Sequence, residues 1–463
     1  MLIDKYEADN IFEKVPGLTL KLSPELAAID QVLDDDELFS MIRNDLACRR
    51  PKTQTAGRHS TPVEVILRLL AVRHLFNWSY EVTEQEVSDS LVLRQFCRVY
   101  FQPVPDHTTL CKWARLIQAE TLAAFNERLM ELAIASKLTR GRKLRMDGMV
   151  VETNIHHPTD SSLLADGVRV LGRTLSQARQ LLGDKLDLPP RLFRNRTRSA
   201  KRAARQIAKG SSQGKVAIQA HYHHLLEAAA ATVKQVHQVL KAIQATAQQE
   251  GQCLLATFQT FLPRLEQVMD QAQRRVLENQ SVPAAEKLVS LFEPHTDIIR
   301  RGKVNKPTEY GHKVWLGEVE GGFIAQYHIL DGNPADNQQW QPTLNQHRQL
   351  FGHPPWQASA DRGVHSAANE RWAHNLGVKR VILPQPGKKS EARRRYEHQH
   401  WFWRGRRFHA GVEGRISVIS RKHGLSRCRD KGEQGFHRWV GWGVIANNLT
   451  MMAKGQAGYL FFF

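Results

Sequence analysis

Cysteine is scarce in this sequence. The five present among 463 residues, Cys48, Cys97, Cys111, Cys253 and Cys428, are scattered and never spaced as Cys-x-x-Cys, which argues against a disulfide framework or a zinc module. Long apolar runs are missing too, and none approaches the roughly 18 residues that span a bilayer. The acidic opening stretch has neither the basic flank nor the apolar core of a secretory signal, so a soluble, cytoplasmic protein is expected. Acid itself is in deficit: 46 Asp and Glu face 65 Lys and Arg, a formal net charge of +19. A basic excess of that size points to an extended polyanion as partner. Nucleic acid is favoured over membrane because no basic amphipathic anchor stands out; a basic surface kept for solubility is the alternative. With 41% hydrophobic residues the chain can build ordinary cores, and its length suits two or three domains of roughly 100–200 residues each.

Residues 61–117 read as a helical unit. Thr61 and Pro62 open a helix with Val65, Ile66, Leu69 and Leu70 on its apolar side, and a second helix follows over 82–91. Asp106 is placed to cap a third, over 106–116. The unit has a helix-turn-helix flavour, although a generic bundle fits the spacing equally. Residues 143–151 then form a short, apolar, β-prone run with Asp147 in its middle, a buried strand interrupted by one acid. Charge there is costly unless it is paired or binds a cation. From about 160 to 292 long paired helices are expected from apolar steps of three and four, such as Val233, Val236, Leu240 and Ile243. Residues 190–209 hold eight bases and no acid, among them Arg196, Arg198, Lys201 and Arg202. Such a block is a phosphate-binding arm or a solvated face.

Strand alternation returns at 312–319 and 323–330 around Gly321-Gly322, a hairpin signal. A helix at 338–350, a short strand ending on Asp361, a helix at 366–376 and a strand at 379–383 follow. The order gives a mixed α/β core with a helical insertion after its first strand. Residues 388–407 carry eight bases, Arg394, Arg404 and Arg407 included, around Trp401-Phe402-Trp403; such a mixture can grip phosphates and stack on bases. Beyond it, Val412, Ile416 and Ile419 mark the buried stripe of a helix with Glu413 on its edge. Asp147, Asp361 and Glu413 are 214 and 52 residues apart, so only a fold can gather them. Three converging carboxylates suit Mg²⁺ or Mn²⁺, and with a nucleic-acid partner they imply phosphodiester cleavage or transfer. Asp331, Asp336 and Glu370 compete for the same role.

Four places in the chain carry a family resemblance: Val104-Pro105-Asp106-His107-Thr108-Thr109-Leu110, Met146-Asp147-Gly148, Ala360-Asp361-Arg362-Gly363 and Gly411-Val412-Glu413-Gly414-Arg415. On these the sequence resembles DDE-type transposases of bacterial insertion sequences, in the broad group around families four and five and closest to the set called ISNCY. The resemblance spans roughly residues 61–452. It implies an RNase H-like core in which Asp147, Asp361 and Glu413 bind the metal and are catalytic. By that division residues 1–137 would be a helical DNA-binding domain, 138–160 the first part of the core, 161–300 the helical insertion and 301–455 the rest of the core. One departure concerns the third motif helix. Relatives often have Tyr seven residues before the Glu, Arg four before it and Lys seven after it, whereas Arg406, His409 and Ser420 stand here, with Arg421 and Lys422 close by as substitute charges.

The implied function is a transposase that recognises terminal inverted repeats, cuts the ends and joins the 3′-hydroxyl to target DNA, acting at the bacterial nucleoid as a homodimer or larger assembly. Thr108, Thr109 and Lys112 on the 106–116 helix would meet the DNA groove, and the basic residues named above its phosphates. A stand-alone metal-dependent nuclease and an inactive DNA-binding relic are the alternatives.

Overall fold

The computed structural model describes residues 1–14, 22–182, 186, 188–210, 214–246, 251–300 and 306–457. The apolar tail at 458–463 lies outside them. Two compact units divide the chain, one of Met1–Asn154, Ile299–Arg301 and Gly311–Phe463, the other of Ile155–Ile298 and Gly302–Tyr310. The architecture is mixed α/β, as expected. Among the described residues no helix is long and apolar enough to cross a membrane.

A six-stranded mixed sheet organises the first unit: β1 (Lys143–Glu152), β2 (Asp297–Ile299), β3 (Glu309–Val319), β4 (Phe323–Leu330), β5 (Gln357–Ser359) and β6 (Arg380–Ile382), in the order β2-β3-β1-β5-β6 with β4 also on β3. β3 runs antiparallel to β1 and β4, whereas β1, β5 and β6 are parallel. The β3–β4 turn uses Gly321 and Gly322 at φ +86° and +80°, a backbone conformation that side chains disfavour. A Cβ on Gly322 would also fall 2.0 Å from an Arg415 guanidinium nitrogen.

Strand alternation sends successive side chains to opposite faces. Leu144 and Met146 join Trp315 and the N-terminal helices in one core. Met149 and Val151 join Val314, Leu316, Ile419, Phe436 and Trp439 in another. The helix Glu433–Gln456 is buried from Gly435 to Ala453 except at the half-buried His437 and Arg438. Its Asn448 amide donates to Asn126 Oδ1 and to the Ile324 carbonyl, both at 2.8 Å, and its oxygen accepts from the Ile324 amide at 2.9 Å. That network ties the helix Ala119–Ala135 to β4 within the first unit.

The helix Val63–Leu75 begins differently from the sequence expectation. Pro62 itself is the capping residue and offers no side-chain bond. The free amides of Val63 and Glu64 instead donate to the backbone carbonyls of Ile3 and Asp4, at 3.0 and 3.1 Å. Main chain at Ile3 and Asp4 thus satisfies the first amides of the helix in place of a capping side chain.

The second unit is helical. The helices Asp160–Leu182, Thr197–Lys209, Lys215–Thr246 and Gln252–Ala272 enclose their own core of Leu164, Leu171, Leu225, Phe258 and Leu265.

Candidate functional site

The parallel pairing of β1 with β5 sets Arg145 opposite Ser359. Asp147 and Asp361 each lie two residues further on, so the same register carries both acids to one level, midway along β1 and just past the end of β5. The helix His400–Lys422 supplies the third. It lies close on the sheet because Gly405 and Gly411 have no side chains: a Cβ would fall 2.4 Å from Ile382 Cδ1 at the first and 2.3 Å from Arg145 Nη1 at the second. With that face pressed down, Arg406, His409, Ala410 and Glu413 recur at steps of three and four along the neighbouring face. Together with Asp147, Ala360, Asp361, Arg362, Ile382, Pro384 and Val412 they line a cleft of about 240 Å³. All three sequence-selected acids therefore face one space, beside β1 and just past the carboxyl ends of β5 and β6, the side on which open α/β sheets place their ligands.

Asp147 is half-buried, and its Oδ1 accepts from the Gly148 amide at 2.7 Å. Asp361 is largely exposed and holds His409 Nε2 at 3.0 Å. Glu413 is exposed. The donor set is carboxylate oxygen flanked by two arginines, a composition that fits a hard divalent cation together with a phosphate. The three acids are more widely spread than a closed cage: among the described residues, the group of His, Cys, Asp and Glu whose ligand atoms all lie within 4.8 Å is Glu84, Asp106 and His107. There, however, Glu84 Oε2 accepts the His107 amide at 2.8 Å and Asp106 accepts the Thr108 amide at 2.8 Å. These are caps of the helix His107–Ala114. Hydrogen bonds from Thr108 hold the Asp106 carboxyl below its ordinary range, and the Glu84 bond raises the His107 imidazole above its own.

The competing acids have other partners or places. Glu370 is bound twice by Arg393 Nη1 at 2.8 Å. Asp336 pairs with Lys313 at 2.6 Å; both lie by Gly148, whose missing side chain points to the face opposite Asp147. Asp331 is exposed at the end of β4.

An ion triad behind the cleft was not visible in the sequence. Glu318, 1% exposed on β3, accepts from Arg145 Nε and Nη2 at 2.7 and 2.5 Å and from Arg415 Nε at 3.3 Å. Arg145 also donates to the Phe408 carbonyl at 2.6 Å, and Arg415 to Asn447 at 3.2 Å. The motif residue Arg415 thus fastens the Glu413 helix to the sheet.

The sequence-selected bases divide into occupied and available groups. Arg196 bonds Gln235, and burial lowers its guanidinium from the ordinary range. Arg198, Lys201 and Arg202 are exposed on the helix Thr197–Lys209. Arg394, Arg404 and Arg407 are exposed, and Arg407 lies 4.9 Å over the half-exposed Trp403 ring. Phe402 is core. Arg421 bonds Ser417, and Lys422 reaches Glu25 at 3.8 Å. In the helix His107–Ala114, the Thr108 hydroxyl is bound to Asp106 at 2.5 Å, Thr109 is half-buried and Lys112 is exposed. Arg362, Arg406 and His409 are cleft residues that the search for acids passed over. Their signal was proximity in sequence to Asp361 and Glu413.

This is a mixed α/β protein with an acid-lined, arginine-flanked cleft. Residues 18–116 match the family model described as Transposase domain (DUF772), so that segment of the chain is similar to a transposase domain. The match covers the N-terminal helices, not the sheet or the cleft. No curated protein and no solved structure matches the chain.

Proposed function

We propose that the protein is a DDE-type DNA transposase, of the ISNCY-like kind, that cuts the ends of an insertion sequence and joins them to target DNA. The observation that supports it best is the gathering of Asp147, Asp361 and Glu413 in one cleft from positions 214 and 52 residues apart. The sheet order β4-β3-β1-β5-β6, antiparallel through β3 and parallel from β1 onward, favours an RNase H-like core.

The three acids would hold Mg²⁺ or Mn²⁺, which, when bound, supplies charge stabilisation to in-line attack at phosphorus. Arg362 and Arg406 would grip the scissile phosphate from the cleft wall, with His409 orienting Asp361. Water attacks first and leaves a 3′-hydroxyl, which then attacks a target phosphodiester. Lys112, with Thr108 and Thr109, would face the DNA at the N-terminal helices. Arg196, Arg198, Lys201, Arg202, Arg394, Arg404, Arg407, Arg421 and Lys422 would meet phosphates. Because two ends must be cut together, a homodimer or larger assembly on DNA is part of the proposal.

Strand joining tests this reading. Pre-cut end DNA with a free 3′-hydroxyl, incubated with supercoiled plasmid and Mg²⁺, should yield covalently joined products on a denaturing gel. Hydrolysis without joining would favour a nuclease, and neither reaction an inactive DNA-binding relic.

His409→Ala should weaken metal use without removing a ligand. Partners that orient ligating carboxylates are worth about 10–100-fold in metal affinity or activity. Cleavage should therefore fall by about that factor at limiting Mg²⁺ and recover as Mg²⁺ is raised. A loss independent of Mg²⁺ would assign His409 another role.

A further inference from the structure

The loop that follows the helix Asp36–Ala47 carries Arg49, Arg50, Lys52, Arg58 and His59 with no acid among residues 46–63. They line a pocket of about 500 Å³ whose inner wall includes Trp113 from the helix His107–Ala114. The Arg49 guanidinium lies 4.5 Å over that indole, which is itself 4% exposed. The loop is held in place by main chain: Leu2 donates to the Thr53 carbonyl at 2.7 Å, and Ser60 to the Met1 carbonyl at 2.9 Å.

The pocket gathers uncompensated charge. Several arginines of the N-terminal helices are paired instead, Arg43 with Asp4, Arg68 with Asp30 and Asp34, and Arg128 with Asp35. Among the described residues, no carboxylate lies within salt-bridge distance of Arg49, Arg50, Lys52 or Arg58. Four unpaired cations focused in one concavity attract a polyanion. The pocket shares its wall with the short helix that presents Lys112, so a chain of phosphates can run from one to the other.

We infer that this pocket is a phosphate grip for duplex DNA, formed by Arg49, Arg50, Lys52 and Arg58 beside the Trp113 helix. The inference rests on the transposase reading and adds to it a binding site outside the cleft. Each phosphate neutralised releases counterions and adds about 0.9 to the log–log salt slope of affinity.

The test is fluorescence anisotropy of the full chain with a labelled 40-base-pair duplex across a salt titration, comparing the wild type with the triple variant Arg50→Ala, Lys52→Ala, Arg58→Ala. Arg49 is left in place because it packs on Trp113. The triple variant should lower the slope by about 2.7 and weaken binding at low salt, with an unchanged thermal midpoint. The charge-retaining Arg50→Lys, Arg58→Lys variant should keep most of the slope and guards against loss of fold. Equal slopes for wild type and triple variant would overturn the pocket while leaving the transposase reading intact. A wild type without salt-dependent DNA binding would overturn both. Tighter binding of an equally long RNA that depends on the same three residues would overturn the assignment to DNA.

Discussion

Asp361→Asn and Glu413→Gln should each reduce Mg²⁺-dependent cleavage of transposon-end DNA by about 10³-fold or more, with DNA binding retained. Metal-based stabilisation of the charge that develops at phosphorus amounts to several kcal/mol, and each 1.36 kcal/mol is about tenfold in rate. Replacing one carboxylate oxygen by an amide NH2 leaves the shape of the cleft and removes the ligand's negative charge. Both side chains are exposed, so neither substitution leaves a buried orphan group, and loss of fold is not the expected route to inactivity. Asp331→Asn is the matched control, because Asp331 is an exposed acid outside the cleft, and should cut at the wild-type rate. Cleavage by Asp361→Asn at the wild-type rate would remove the cleft from the mechanism. Loss of DNA binding in step with cleavage would instead place these acids in substrate docking.

Much of the candidate site was legible in the sequence because its signals are local. Asp147 interrupts an apolar β run, the Gly321-Gly322 pair marks the hairpin of the neighbouring strands, and Glu413 borders a stripe of Val412, Ile416 and Ile419. Each is readable within ten residues. The parts that were not legible depend on distant partners. Glu318 sits in an ordinary alternating strand, and its meaning comes from Arg145 and Arg415, 173 and 97 residues away. Thr61 has the chemistry of a helix cap, but carbonyls nearly sixty residues upstream take that place. The helix Glu433–Gln456 gives no amphipathic signal because it is buried on every side, and a helix without a polar face has no period to detect. Charge runs mislead in the opposite direction. Of the eight bases at 388–407, Lys389 and Arg393 are bound by Glu397, Arg393 also by Glu370, and Arg395 by Glu391.

Glu318→Leu should destabilise the sheet-bearing unit by about 3–5 kcal/mol, the usual effect of removing one member of a buried ion network and leaving the others unpaired. Here two arginines with side chains only 14% and 18% exposed would lose their common carboxylate. All ten tryptophans belong to this unit, so urea unfolding followed by tryptophan fluorescence reports on it without signal from the helical unit. A second variant separates stability from positioning. Replacing the whole triad, Arg145→Met, Glu318→Leu and Arg415→Met, removes the buried charges together, and such exchanges are often neutral or stabilising. The urea midpoint should then return towards the wild type. Cleavage should not return, because the triple variant also lacks the Arg145 bond to the Phe408 carbonyl and the Arg415 bond to Asn447, the ties that fix the Glu413 helix over Asp147. A triple variant that is stable and also cuts at the wild-type rate would show that helix packing through Gly405 and Gly411 positions Glu413 without the triad. A single variant with an unchanged midpoint would show that water enters and solvates both arginines once Glu318 is gone.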